Sequence, residues 1–492
     1  MSTEETTNTI HNHLTMTTRI PKELRESYVA HGQGHVFKYV DSGIVDDEQL
    51  DTFISQLSSI DPAHVNALHV SSMSVSDSDK SKTVMEPIES FGSLESASAV
   101  DKARWFTTGL NAISDGKVAV VVLSGGQGSR LGFDGPKGMY DIGLPSGKTL
   151  FQLQAERLLR VCELASSSTG GHGFRVPWYI MTSPLNDTAT REFFESKQYF
   201  GMPKNDVFFF SQGTLPCTTR EGKIILESTS RVAMAPDGNG GIYPALKKHG
   251  ALEDMRVRGV EHLHVFSIDN ALVRVADPYF IGYCIENDAD CGNKSVWKSS
   301  PDEKVGIIVK CDGKPSVVEY SEMSIEACER RDLNGKLTFG AGNICNHYFS
   351  RVFLEDTVLP NFADMYHVAH KKIPEAIGEH GETTKPSSNN GIKLESFIFD
   401  VFPLSKNMVL FEASRVDEFA PVKNPPGTDS DSPDTARTLI SDQAKSWAVA
   451  ARSQSGEIEY EGLCEISPLV SYVGEGLSKR LGELAMGPFH LE

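Results

Sequence analysis

The sequence predicts an α/β fold in which helices cover both faces of a sheet. Three observations carry that expectation. Short β-branched or aromatic runs recur at 117–124 (KVAVVVLS), 176–183 (VPWYIMTS), 206–212 (DVFFFSQ) and 262–269 (HLHVFSID). They are almost continuously apolar, as strands buried on both faces are. They alternate with helical stretches at 149–165, 187–196 and 243–259, the order that strand–helix units impose.

Taken in chain order, residues 1 to about 20 are polar and Thr-rich and read as a loose tail. The pattern from Lys22 to about Leu57 is helical, and Ser71–Ser81 (SSMSVSDSDKS) reads as a Ser/Asp-rich loop with little to bury. With the helical stretch 101–113 these make an expected N-terminal domain, 1–110. The strand–helix alternation marks a core over 111–420, which KVGIIVK (304–310), PSVVEYSE (315–322) and NMVLFEAS (407–414) extend with further strands. The loop PPGTDSDSPDT (425–435) has linker composition, and a small C-terminal domain is expected over 421–492. The chain has no internal repeat.

Composition narrows the function. With 492 residues there is material for about three domains at roughly 150 residues each. The 39% hydrophobic and 23% charged content is that of a folded globular chain. No run approaches the roughly 18 apolar residues of a spanning helix, so no membrane role is expected. The start, MSTEETTNTI, is acidic where a secretory signal is basic. Eight cysteines are scattered without a C-x-x-C pair, which suits reduced thiols in the cytoplasm. The 47 Lys+Arg against 66 Asp+Glu leave a net charge of −19 and no basic patch, which argues against nucleic acid as a partner. An anionic ligand is still compatible with that charge where the site is locally basic or metal-loaded, because distant charges are screened over about 8 Å.

One segment carries such a site. In VVVLSGGQGSRLGFDGPKGM (120–139) a buried strand runs into Gly125, Gly126, Gly128 and Gly132, with Arg130 and Lys137 beside them. Glycines let backbone pass close to a bulky anion, and exposed N–H groups with two cations neutralise phosphate. Two familiar motifs nearly match and fail. G-x-G-x-x-G begins at Gly126 but its third glycine arrives one residue late, at Gly132. GLPSGKT (143–149) imitates a Walker loop with three residues between its glycines instead of four, one of them proline, so Lys148 reads as a turn lysine.

Further along, the string Asp237-Gly238-Asn239-Gly240-Gly241 leads into a helix and fits either a surface turn or close approach to a ligand. Asp269 and Asn270 follow a buried strand, where a carboxylate is a natural Mg²⁺ ligand for a nucleoside triphosphate or, alternatively, a helix N-cap. His262 and His264 share one strand face and read as core or surface histidines, as do His31 and His35. Glu319-Tyr320, Asn343 and Lys423 put polar groups after or between apolar runs, which solvated strand ends also do. No G-x-S-x-G elbow or H-E-x-x-H helix is present.

The segment LSGGQGSRLGFDGPKGMYDIGLPSGKTLFQLQAERL closely resembles the eukaryotic UDP-N-acetylhexosamine pyrophosphorylases. The resemblance continues through YIMTS, KIILES, MAPDGNGGIYPAL, DNALVRVADPYFIG, VVEYSE, AGNICNH, ESFIFDVF, EFAPVKN and CEISPLVSYVGEGL, from about residue 100 to Leu477. It implies a Rossmann-like nucleotidyltransferase core with a mixed, mostly parallel sheet, flanked by smaller N- and C-terminal domains. It implies UTP and N-acetylglucosamine 1-phosphate as substrates, UDP-N-acetylglucosamine and pyrophosphate as products, and Mg²⁺ as cofactor. Carried over position by position, it assigns Leu123, Ser124, Gly125 and Gly126 to nucleotide contacts and Arg130 and Lys137 to the triphosphate. Gln212 and Gly238 fall to the uracil, and Asn239, Glu319, Tyr320 and Asn343 to the amino sugar. Ser267 falls to a substrate contact, Asp269 to the metal and Lys423 to the phosphates. Ser129 stands where the family usually has Thr. Alternatives are transfer to glucose or N-acetylgalactosamine 1-phosphate, or a sensor that keeps the pocket without the chemistry.

Overall fold

The computed structural model describes residues 19–74, 84–170, 175–362, 365–452, 460–480 and 488–492. The chain forms two compact units. Unit 1 comprises the described residues of Met1–Lys82, Gly213–Gly241 and Phe362–Ile398; unit 2 comprises those of Thr83–Gln212, Ile242–Asn361 and Phe399–Glu492. These units cut across the expected segments 1–110, 111–420 and 421–492, because unit 1 is assembled from three stretches that a reading along the chain cannot join.

In unit 1, helices α1 (Lys22–Ala30), α2 (Asp47–Ser58) and α3 (Pro62–Ser74) supply most of the apolar faces. The Asp46 carboxylate caps α2 by accepting from the Gln49 N–H at 2.8 Å, and Asp47 and Glu48 suit the positive end of that helix. Tyr28, Phe37, Leu50, Phe53 and Leu57 form one core with Ile224, Leu226, Val232 and Ala376, which is how the second and third stretches join the first. His31 donates to the Ser27 carbonyl and His35 to that of Ile224, so both are structural. Residues 71–74, expected as loop, complete α3: a helix already nucleated over buried Val65 and Leu68 propagates through serines. The rest of that expected loop, and most of the expected N-terminal tail, lie outside the described residues.

Unit 2 is built on a large mixed sheet. Its strands are β1 (Gly92–Ser93), β2 (Val118–Leu123), β3 (Trp178–Thr182), β4 (Val207–Ser211), β5 (His262–Ser267), β6 (Cys291–Trp297), β7 (Ile307–Cys311), β8 (Lys314–Val318), β9 (Ala341–Ser350) and β10 (Met408–Glu412), with the short strand Met85–Pro87 antiparallel to β7. Eight run in the order β1-β10-β6-β9-β5-β2-β3-β4, with β7 pairing both β9 and β8. In the main run every pairing is parallel except those of β9, which is antiparallel to both β5 and β6. Helices α4 (Ala99–Ser114), α5 (Leu150–Thr169), α6 (Asp187–Ser196) and α9 (Pro278–Glu286) accompany the sheet. The expected helix 243–259 is two, α7 (Ile242–Lys248) and α8 (Ala251–Val257), separated at Gly250, whose φ of +73° ends the first. The last helix, α10 (Pro433–Ala451), starts from a Ser432 capping box inside the expected linker, whose last three residues are already helical. Its Ala436 and Ile440 share one core with β2, α5 and Tyr472.

The sequence reading does not anticipate β9 as a strand, because Asn343, Asn346 and His347 break its apolar pattern. The sheet gives each of them a partner, while Asn346 Nδ2 and His347 Nε2 are buried without one among the described residues. His264 Nε2–H donates to Asn346 Oδ1 at 2.7 Å while its Nδ1 accepts from the Ala276 N–H at 3.0 Å; His347 pairs with Asn293. Burial pushes His264 down to about 4 and His347 to about 3, so both stay neutral core groups. Lys148 is a structural lysine: its Nζ is buried between Glu156 at 2.9 Å and Ser467 Oγ at 3.0 Å, which leaves it no phosphate to hold. The eight cysteines are free thiols. No helix among the described residues is long and apolar enough to cross a membrane.

Candidate active site

The carboxyl ends of β2, β3, β4 and β5 lie along one edge of the sheet, the edge at which open α/β sheets gather ligands. Ser124 leaves β2 there, with Leu123 in register with Ser267, the last residue of β5. Asp269 follows two residues later. Gln212 directly follows β4. Because β9 runs antiparallel, its beginning reaches the same edge, and this is where Asn343 stands.

The glycine loop returns on itself. The Gly128 N–H donates to the Gly135 carbonyl at 2.8 Å and the Lys137 N–H to that of Gly126 at 3.1 Å, which brings the lysine back beside the glycines. Gly132, at φ +70°, supplies the left-handed residue the return needs. Asn186, which the sequence reading missed, anchors the start: its side-chain amide donates to the Ser124 carbonyl at 2.9 Å, while its Oδ1 accepts from the Ser183 N–H at 2.7 Å. The only signal for it is an amide residue between a strand and a helix. A Cβ on Gly125 would lie 2.5 Å from Gln212 Oε1, so Gln212 rests against the loop backbone. A Cβ on Gly126 would meet nothing within 4 Å, so packing does not require that glycine and the space over its backbone is open.

Charges converge on the same edge. Burial lowers Lys137 below its ordinary value; the neighbouring Lys423 and Arg130 push the same way and Asp269 opposes them. Lys423 is equally felt by Glu319, which burial and Glu322 raise and Lys423 pulls back down. It is felt by Cys345, which burial and Asp269 raise to about 12 against Lys423. Backbone contacts explain how a residue so distant in sequence arrives: the Val422 N–H donates to the Asp269 carbonyl at 2.9 Å and the Lys423 N–H to that of Asp431 at 2.7 Å. The structure thus brings together Arg130, Lys137, Asp269, Glu319 and Lys423. Asn343 is held nearby, its N–H on the Gly306 carbonyl at 2.8 Å and its Oδ1 accepting from the Cys345 N–H at 3.1 Å. Tyr320 is exposed, just beyond the end of β8.

Gly238 and Asn239 belong to unit 1. There the expected glycine-rich turn is packed from within: a Cβ on Gly238, at φ +88°, would sit 2.2 Å from the Ser396 carbonyl oxygen, and one on Gly241 2.1 Å from Asp237 Oδ1. Asn239 Oδ1 accepts from the Ile398 N–H at 3.0 Å. The close approach these glycines permit is to their own unit's backbone and carboxylate.

Three cations with the carboxylates Asp269 and Glu319 near them, beside open glycine backbone, make a place for a multiply charged anion. Among the described residues no cluster of three His, Cys, Asp or Glu could hold a metal by itself. A divalent cation at Asp269 would therefore share its coordination with the anion's own oxygens, the arrangement Mg²⁺ favours over an all-protein cage. The lowered Lys137 also sets an expectation. The alkaline limb of kcat/KM, which reports the free enzyme, should fall with an apparent pKa below 10.5. Lys137→Arg should move that limb to higher pH because guanidinium keeps its proton; an unmoved limb excludes Lys137 as its source.

Residues 70–451 match the family model described as UTP–glucose-1-phosphate uridylyltransferase. A relative from Xenopus tropicalis, UDP-N-acetylhexosamine pyrophosphorylase-like protein 1, is 44% identical over 94% of this chain and 94% of its own. The UDP-N-acetylglucosamine pyrophosphorylase of Saccharomyces cerevisiae is 39% identical over 94% of this chain and 98% of its own. The crystal structure of the Trypanosoma brucei uridine diphosphate N-acetylglucosamine pyrophosphorylase with an inhibitor superposes with a TM-score of 0.82 at 32% identity, covering 95% of this chain and 97% of that one.

Proposed function

The chain belongs to the UTP–glucose-1-phosphate uridylyltransferase family, among its UDP-N-acetylhexosamine pyrophosphorylases, and from that premise we propose that it joins UTP to N-acetylglucosamine 1-phosphate. It is a nucleotidyltransferase, with a nucleotide and a sugar phosphate as substrates. The observation that carries the finer reading is the convergence of Arg130, Lys423 and Asp269 on Lys137 beside the glycine loop.

The chemistry suits that inventory. A phosphate monoester loses its second proton near pH 6, so the attacking sugar phosphate is largely dianionic at neutral pH and no general base is required. Its oxygen bonds to the α-phosphorus of UTP while the bond from that phosphorus to the bridging oxygen breaks, and pyrophosphate leaves with the electron pair. The barrier lies in pressing anion against anion, so catalysis is positioning and charge neutralisation of an in-line displacement. Each cation contributes about 4 kcal/mol of attraction at roughly 4 Å and an effective dielectric near 20, before desolvation.

In this reading Leu123, Ser124, Gly125 and Gly126 present backbone to the nucleotide, and Gln212, seated on Gly125, reads the uracil. Arg130 and Lys137 hold the triphosphate, Lys423 the phosphates at the reacting centre, and Ser267 a substrate oxygen. Glu319, Tyr320 and Asn343 hold the amino sugar. Gly238 as a uracil contact and Asn239 as a sugar contact rest on the family resemblance. Asp269 would hold Mg²⁺, which when bound supplies further neutralisation of the phosphates. Residues 111–420 carry most of these groups and Lys423 comes from beyond them. Eight free thiols fit a reducing, cytoplasmic setting.

Gly125→Ala should raise KM for UTP by about tenfold with little change in melting temperature. The new methyl displaces only the flexible end of Gln212, and one lost amide contact is worth roughly 1–1.5 kcal/mol. An unchanged KM places the uracil elsewhere. The family model's own description favours glucose 1-phosphate as the second reading. Pyrophosphate release measured with UTP, CTP, GTP and ATP against N-acetylglucosamine, N-acetylgalactosamine and glucose 1-phosphates separates the two. The highest kcat/KM should belong to UTP with N-acetylglucosamine 1-phosphate. A glucose preference reverses the sugar assignment, and no release with any pair leaves the sensor.

A further inference from the structure

We infer that Asn270 is a positioning residue for this reaction: it ties the turn bearing Asp269 to the segment bearing Lys423, so that carboxylate and ammonium are set as one piece. The inference rests on the site reading above.

Asn270 is only 3% exposed and points away from solvent into the joint. Its Oδ1 accepts from the Leu272 N–H at 3.1 Å, within its own turn, and from the Ala420 N–H at 2.9 Å, across the joint. Its Nδ2 donates to the Glu418 carbonyl at 2.7 Å, also across. One planar amide therefore reads both backbones, with donor and acceptor each aimed at a different group. Backbone bonds flank it, from Ala271 N–H to the Ala420 carbonyl at 2.9 Å and from Val422 N–H to the Asp269 carbonyl at 2.9 Å. Lys423 is the next residue.

The far side of the joint is anchored as well. The Glu418 carboxylate is buried against Lys294, which also pairs with Asp277, and against Arg274 at 3.2 Å. Residues 418–420 cannot drift without opening that ion network, so the position of the 269–272 turn relative to Lys423 is set by Asn270 together with the two backbone bonds that flank it. Neither group needs Asn270 to touch substrate. What it controls is where the lysine's charge falls relative to the carboxylate, and a displacement of about 1 Å from productive geometry costs on the order of a hundredfold in rate.

The test is a double-mutant cycle of Asn270→Ala and Lys423→Ala, reading kcat, KM for both substrates and melting temperature at saturating Mg²⁺. Lys423→Ala alone should lower kcat by about a hundredfold with KM little changed, as for loss of a group acting on developing charge. Asn270→Ala alone should lower kcat by about thirtyfold, with each KM within about threefold of the parent. In the Lys423→Ala background the same change should cost less than about threefold, since no lysine remains to be misplaced. Asn270→Ser can keep the bond within its own turn and loses both side-chain bonds across the joint without adding a buried charge, so it serves in the cycle if Asn270→Ala does not fold, with the same non-additivity expected. Equal losses in both backgrounds, or a lowered melting temperature with unchanged kcat, overturn the inference while leaving the site reading intact. Wild-type kcat in Lys423→Ala brings down the site reading itself, and this inference with it.

Discussion

Asp269→Ala should lower kcat by about a thousandfold and shift the Mg²⁺ concentration for half-maximal rate upward by at least tenfold. Two losses add. In the proposed site Asp269 is the carboxylate that would hold a divalent cation at the strand ends, and transition-state neutralisation lost at one position costs on the order of a hundred- to a thousandfold. It is also the single opposing charge that supports protonated Lys137 against burial, Lys423 and Arg130. Without it the Lys137 pKa falls further, so the alkaline limb of the kcat/KM profile should move to lower pH in the variant. The turn itself survives, because it is held through the Asp269 backbone carbonyl and the neighbouring Asn270 side chain. A metal titration that superposes on the parent's would remove Asp269 from the metal site. An unmoved alkaline limb would separate it from Lys137.

The second large effect is on stability. Lys294 is fully buried and neutralises Asp277 and Glu418, also buried. Burial alone would raise Asp277, but Lys294 and then Arg274 overcome it and hold the carboxyl below its ordinary value. Lys294→Met leaves two carboxylates facing one arginine in the core, and removing one partner of such a network costs about 3–5 kcal/mol. The pH dependence carries the sign. In the parent, the depressed Asp277 contributes stability that is present above its unfolded pKa and lost as pH falls through the folded one. In the variant a stranded carboxyl titrates above its unfolded value, so the folded state takes up a proton as pH falls and regains stability. The gap between the two proteins in denaturant unfolding should therefore be widest near pH 8 and narrow toward pH 5. A gap independent of pH would mean the loss is of packing and not of charge.

The amino-acid sequence alone was sufficient where the physics is local. Strands β2 to β5 show as apolar runs because a strand buried on both faces needs nothing but apolar residues. The glycine loop, Arg130 and Lys137 are legible because they lie within a few residues of one strand end, and so does Asp269. The family resemblance named Glu319, Asn343 and Lys423, whose own surroundings in the chain are indistinct. Only the tertiary structure decided the rest. It returned Lys137 to Gly126, carried Lys423 to Asp269, gathered unit 1 from three separate stretches, and gave Asn186, Asn270 and the Lys294–Glu418 network their partners. The reason is that spacing and periodicity are properties of neighbours along the chain. Burying a charge or an amide is decided by which distant groups meet it, and a buried lysine is spelled the same as one in water.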